Sequence, residues 1–451
     1  MKRIAEDFLV QWFRKKERMP LIIRGARQVG KSTLVRLFCK NNQLDLIEVN
    51  LEIVKFRTLE DSELNLENLI DEIQLKFKKK ISVQTILFFD EIQESPELLK
   101  ALRYFYEQYA TIPIIAAGSL LELTLHNEKF SFPVGRVEFY HLGPMTFTEF
   151  LWATQNHLLV EKLDNLAFDQ HNHDLFLKEL VKFYYIGGMP KAVKTYIESK
   201  SLLPVRDIQN QILQTYIADF PKYNSRINAR RIEKIFFASI LFLGKKLIYQ
   251  KLDPDSQSRD IRRIVELLID ARVLVPCTHS NANSIPLLGE SDLSIFKIYF
   301  LDIGLANALL NMEFELIDRE FKLNFNTKGV LAEQFVAQHL AYGGNCTLAP
   351  HLFYWLKDKG TQKGEIDFLY PKQSMIVPIE VKSTTTGHLK SLFYFIKEKK
   401  RHLGVKISLD EFSYSEVQHK LDDQLIRFKL INIPQYAVEK IDAIVEKFTV
   451  P

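Results

Sequence analysis

Residues Gly25 to Ser32 read G-A-R-Q-V-G-K-S, a complete G-x-x-x-x-G-K-[ST] phosphate-binding loop. Gly25 and Gly30 let the backbone wrap a polyphosphate, with N–H groups pointing inward and a helix N-terminus adding positive potential. Ala26, Arg27, Gln28 and Val29 line the cradle between them, and Thr33 opens the helix that follows. Lys31 would reach the β- and γ-phosphates of ATP, and the Ser32 hydroxyl would ligate Mg²⁺. A chance glycine turn before a helix is the competing account. Leu21-Ile22-Ile23 before the loop and the amphipathic Thr33–Phe38 after it supply the strand and helix that such a turn would lack.

Hydrolysis needs a second metal anchor and a group that prepares water. Thr85-Ile86-Leu87-Phe88-Phe89-Asp90-Glu91 is an apolar run ending in two carboxylates, as expected of a strand buried on both faces of a parallel sheet. Asp90 would hold Mg²⁺ beside Ser32, and Glu91 would polarise the attacking water. A third apolar run, Ile112–Ala117, ends in Gly118-Ser119. Ser119 is either a polar sensor of the γ-phosphate or a helix N-cap. Arg136 is either an arginine finger, offered in cis or by a neighbouring subunit, or an ordinary surface arginine.

The run R-G-A-R-Q-V-G-K-S-T, then D-E-I-Q at Asp90–Gln93, G-S at 118–119 and G-R-V at 135–137 resembles a group of prokaryotic AAA+ ATPases close to the archaeal ATPase and signal-transduction NTPase branches. Gly187-Gly188-Met189-Pro190 resembles the G-G-x-P element of the lid in that branch. The resemblance covers essentially the whole chain. It implies ATP and Mg²⁺ as cofactors and a C-terminal region of unknown function, often with a nuclease-like fold. Leu120 departs from the second small polar residue that many relatives carry after the serine, which weakens the sensor role of Ser119.

A second constellation lies near the end. Gly364–Tyr370 and Met375–Lys382 read as two strands joined by a turn near Gln373–Ser374, which would set Asp367 opposite Glu380. Glu380 and Lys382 are two residues apart and share a sheet face. Glu333, on the helical run Leu331–Val336, could bring a fourth group. This D-x₁₂-E-x-K spacing after a helical glutamate resembles the PD-(D/E)xK nuclease superfamily. The resemblance implies that Asp367 and Glu380, with Glu333 orienting the shell, hold Mg²⁺ or Mn²⁺. Metal and Lys382 would then activate water against a phosphodiester. A hairpin with exposed charges could carry the same spacing. The basic helix Lys390–Arg401 either lines a DNA backbone or is a solvated face.

These groups need elements to hold them. The expected architecture is α/β. It comprises a P-loop AAA+-type parallel sheet (1–150), a helical lid (151–225), a winged-helix connector (226–325) and a C-terminal α/β restriction-endonuclease-like domain (326–451). The connector rests on two helices, Arg231–Leu243 and Arg259–Asp270, followed by strands Val273–Pro276 and Phe296–Phe300 around a polar loop. Its second helix would present Gln257, Arg259, Arg262 and Arg263 to DNA, or else pack between domains. His171 and His173 form a lone pair without a partner cluster and are set aside as metal ligands.

Composition agrees: 451 residues suggest two to four domains, and 47% hydrophobic with 26% charged is ordinary globular usage. A net charge of +4 permits nucleic-acid binding without requiring it. Cys39, Cys277 and Cys346 are widely spaced, which suits a reducing compartment. No apolar run suggests a membrane span or a signal peptide, so a cytoplasmic protein is expected. The combined expectation is an ATPase that couples Mg-ATP hydrolysis to action on DNA through a nuclease-like domain. Homo-oligomer formation or a protein partner is compatible with it. The rival is an ATP-gated switch with a dead nuclease fold that binds nucleic acid or protein without cutting.

Overall fold

The computed structural model describes residues 1–59, 65–119, 121, 135–223, 227–323, 328–344, 346–358, 363–382, 389–421 and 424–449. Leu120, which follows Ser119, lies outside them. The chain forms two compact units. The first comprises Met1–Gly143 with Asp270–Arg272 and Asn345–Ala349, and the second comprises the rest. No described helix is long and apolar enough to cross a membrane.

In the first unit the apolar runs become strands of one parallel sheet: β1 (Leu21–Arg24), β2 (Asp45–Asn50), β3 (Thr85–Asp90), β4 (Ile114–Gly118) and β5 (Glu138–His141), in the order β2-β3-β4-β1-β5. β1 sits between β4 and β5, with Leu21 opposite Ile115 on one side and Glu138 on the other. Every residue of β3 and β4 is buried, which is why these runs carry no alternating polar positions. Ile22, Val49, Leu87 and Phe89 face Leu98, Leu102 and Phe105 of helix Pro96–Gln108 across one layer of the core. That helix starts where Ser95 accepts a hydrogen bond from the Leu98 N–H and Pro96 sits in the first turn. A mixed α/β unit with this parallel sheet fits a P-loop fold, and its strand C-termini share one edge where ligands bind.

The second unit is built on an eight-stranded sheet, order β12-β13-β11-β10-β9-β8-β6-β7. Its strands are β6 (Leu274–Ser280), β7 (Ser291–Phe300), β8 (Leu352–Lys357), β9 (Gly364–Lys372), β10 (Met375–Val381), β11 (Leu403–Ser408), β12 (Ser413–Leu421) and β13 (Gln424–Pro434). Here the structure departs from the expected boundary at 325/326. Helices Ala229–Ser239 and Ser258–Asp270 do precede the β6–β7 hairpin. That hairpin, however, is no separate wing: β6 pairs in parallel with β8, so one sheet runs through both expected domains. The physical reason is burial. Ile298, Tyr299 and Phe300 are at most 1% exposed, more apolar surface than a solvated wing tolerates.

The expected lid helices also group with this second unit. Phe147 and Phe183 pack edge-on against Phe335, and His339 fits beside them. Gly187 adopts φ 74°, and a Cβ there would lie 2.2 Å from the Asp302 carboxylate, so the G-G-M-P turn closes onto Asp302. Asp302 accepts hydrogen bonds from the N–H groups of Gly188 (2.6 Å) and Leu305 (3.0 Å), and burial pushes its pKa up to about 6.

Candidate nucleotide site and C-terminal charge cluster

The phosphate loop joins β1 to helix Lys31–Asn41, with Gly30 as the N-cap. Gly25 is required by contact: a Cβ there would stand 2.2 Å from the Leu142 carbonyl oxygen. Lys31, only 7% exposed, donates from Nζ to the carbonyls of Gly25 and Ala26 at 2.9 Å each, so its ammonium lies over the loop. Ser32 Oγ donates to Asp90 Oδ2 at 2.6 Å. Burial pushes the Asp90 carboxyl above its usual range, while the bond from Ser32 opposes that rise.

β3 and β4 are neighbours, so their ends bring Glu91 beside Ser119. Glu91 sits in the left-handed region at φ 53°. Its Oε2 accepts from Gln93 Nε2 at 2.7 Å and from Ser119 Oγ at 3.3 Å. Ser119 thus bonds to the expected water-activating group, and Gln93, not singled out in the sequence, holds it more closely. The available signal was its place in the D-E-I-Q run.

Arg136 is not brought to this edge. It lies just ahead of β5, separated from it by Val137, and the first residue of β5, Glu138, pairs with Leu21 at the start of β1, whereas the phosphate loop follows the end of β1. Its guanidinium pairs with Glu107 at 3.1 Å and lies 5.9 Å from the Tyr106 ring. Within its own chain Arg136 is a surface ion-pair residue, because a parallel sheet puts strand starts and strand ends on opposite edges.

In the second unit, β9 and β10 form a hairpin with the ladder Lys372↔Met375 to Phe368↔Ile379, closed at Gln373–Ser374. Asp367 and Glu380 follow at the next step, and Asp367 Oδ2 accepts from the Val381 N–H at 2.8 Å. Lys382 Nζ donates to Glu380 Oε1 at 2.6 Å. Glu333, from helix Lys328–Tyr342, accepts from the Tyr299 hydroxyl at 2.9 Å. Burial and the nearby Asp367 charge push both Glu333 and Glu380 up to about 8.

A fifth group, missed in the sequence, lies among them. Lys297 on β7 is 0% exposed. Its ammonium contacts Glu365 and lies 3.7 Å from Glu333 and 3.9 Å from Asp367. Burial disfavours that charge, but the carboxylates of Glu333, Asp367 and Glu365 outweigh it and hold the lysine above its ordinary pKa. Its signal was a single lysine inside the apolar run Phe296-Lys297-Ile298-Tyr299-Phe300. Among the described residues no group of three His, Cys, Asp or Glu side chains is arranged to hold a metal ion. The expected metal at Asp367, Glu380 and Glu333 therefore does not fit this arrangement, because a lysine ammonium stands where the carboxylates converge.

The basic helix is also more engaged than expected. Lys399 donates to Asn283 Oδ1 at 2.8 Å, and Arg401 donates to the carbonyls of Ala282 and Asn283 at 2.9 Å each. Only Lys390 and Lys400 of the five expected cations are exposed. Gln257, Arg259, Arg262 and Arg263 are exposed, and Arg262 pairs with Glu266 at 2.8 Å. His173 is buried rather than solvated, with Nδ1 3.0 Å from the Tyr436 hydroxyl.

Residues 17–151 match a family model described as an AAA domain. Residues 177–316 and 328–436 match two models described as domains of unknown function (DUF8612 and DUF4143). No curated protein matches the chain. Among solved structures, one similar chain is from "Structure of C. elegans PCH-2", at 11% identity and a TM-score of 0.28. The match covers 44% of this chain and 62% of that chain, and at that score it carries no argument. The AAA match, the phosphate loop and the parallel sheet together support an AAA-type ATPase.

Proposed function

We propose that this chain binds and hydrolyses Mg-ATP at the C-terminal edge of the β2-β3-β4-β1-β5 sheet. The observation that carries the reading is the Ser32–Asp90 contact of 2.6 Å beside Lys31, with Glu91 held at the next position. Two hard oxygen donors suit Mg²⁺, which would offset charge on the phosphate oxygens. Lys31 leaves its loop carbonyls for the β- and γ-phosphates. Glu91, held by Gln93 and Ser119, accepts the proton of the attacking water. Calorimetry tests the binding half: the intact chain should bind ATP, and Lys31→Ala should abolish detectable binding. Unchanged affinity in that variant would sink the reading.

Our finer reading is an ATP-gated switch that acts on DNA through the second unit without cutting it. The lysine within the acidic cluster favours this over metal-dependent cleavage. Exposed Arg259 and Arg263 on helix Ser258–Asp270 are the groups we assign to the phosphate backbone. Mobility shifts at low salt, with and without ATP, test it. Binding that persists in Arg259→Ala, Arg263→Ala removes this surface, and no binding at all leaves a protein partner.

A further inference from the structure

The second unit holds more buried charge than a structural ion pair needs. Glu333 comes from a helix, Glu365 and Asp367 from β9, and Glu380 from the end of β10. Lys297 comes from the far edge of the sheet, and reaches Asp367 because the sheet curls: Tyr299 on β7 lies 5.4 Å, ring to ring, from Phe368 on β9. Two separate segments, the helix and β9, thus bring carboxylates to one ammonium. Glu380 adds an oxygen without a counterpart: Oε2 has no hydrogen-bond partner among the described residues, although the residue is only 5% exposed.

We infer that Lys297 is a built-in counter-ion that takes the place of a divalent metal among Glu333, Glu365 and Asp367, so that the native cluster takes up no metal and removing Lys297 turns it into a divalent-cation site. The chemistry follows from what the carboxylates need. Half-buried acids gathered this closely repel one another, and either an ammonium or a metal relieves that repulsion. A covalently attached ammonium is always present at the site. An oxygen-seeking ion would have to displace it into surroundings that leave it unpaired. Tyr299 and Lys382 remain to orient Glu333 and Glu380 once the ammonium is gone. The inference is independent of ATP hydrolysis in the first unit.

The test is Mn²⁺ titration of the nucleotide-free full chain, read by calorimetry and by paramagnetic relaxation of water. The readout is the uptake that Asp367→Ala removes, which excludes metal bound at Ser32 and Asp90. The native chain should show none, and Lys297→Ala should gain about one Mn²⁺ per chain, lost again in Lys297→Ala, Asp367→Ala. Should Lys297→Ala prove unfolded by circular dichroism, Mn²⁺ should restore its fold, because the ion supplies the missing charge. Asp367-dependent uptake by the native chain would overturn the inference. So would a folded Lys297→Ala chain that binds nothing, or an unfolded one that Mn²⁺ fails to restore.

Discussion

His339 is placed to make the second unit sensitive to acid. Its Nε2 accepts the Phe147 N–H at 2.9 Å, and its Nδ1 lies 2.7 Å from the Phe335 carbonyl. The first contact needs a bare Nε2 and the second a proton on Nδ1, so only the neutral Nδ1–H tautomer satisfies both. Protonating Nε2 would set two N–H groups against each other in a site with no exposure. Burial is the main cause, and it lowers the imidazole pKa from 6.5 to about 4. That difference corresponds to roughly 3 kcal/mol. The pKa is depressed in the folded state, so the unfolded chain takes up the proton first. The stabilisation is present above pH 6.5 and is lost as pH falls toward 4. Buried Asp302, Glu333 and Glu380 have raised pKa values and act in the opposite sense, so total stability alone does not isolate the histidine. The assay is therefore the NMR titration of ¹³C-labelled imidazoles, with denaturant unfolding of the native chain and His339→Gln at pH 7.5 and pH 5. The native chain should lose more stability than the variant on acidification, by roughly 2 kcal/mol. A His339 midpoint above pH 6 would refute the reasoning.

Gly25→Ala should abolish ATP binding and lower the melting temperature of the first unit, because its Cβ would meet the Leu142 carbonyl at 2.2 Å; a variant that binds ATP normally would contradict the loop geometry. Gln93→Ala should slow turnover about ten-fold or more with ATP affinity retained, since a hydrogen bond to a charged group is worth about 1.5–3 kcal/mol. Ser119→Ala should slow it less, its bond to Glu91 being longer at 3.3 Å; steady-state kinetics separate the two. Arg136→Ala should leave turnover intact, because Glu107 holds the guanidinium at the far edge of the sheet. A loss that mixing with Lys31→Ala restores would instead show a second copy supplying Arg136.

What could be read from the sequence follows how local each feature is. The phosphate loop, β1 and β3 are contiguous stretches whose residue types state their own environment, and the β9–β10 turn is a two-residue loop inside one stretch. The sheet running from β6 into β8 was not legible, because Cys277 and Leu352 are partners separated by a long intervening stretch of chain. The same holds for the G-G-M-P turn: its glycines signal a close approach, but not that Asp302 makes it. Lys297 was overlooked for a different reason. A lone lysine in an apolar strand implies a partner, but the partners lie on two other segments, and no spacing rule links them. The place of Arg136 was not legible, because a glycine–arginine motif says nothing about which edge of a parallel sheet it occupies.

Glu91 is the residue to which the proposed hydrolysis is most directly assigned. The decisive measurement is phosphate release from Mg-ATP by the native chain and by Glu91→Gln, with nucleotide affinity measured on the same samples. In the proposed mechanism the Glu91 carboxylate accepts the water's proton, whereas Lys31, Ser32 and the loop are assigned to binding Mg-ATP. Turnover in the glutamine variant should therefore fall by about 10²–10⁴-fold while ATP affinity stays unchanged. Phosphate release at the native rate from Glu91→Gln, or none from the native chain, would contradict it.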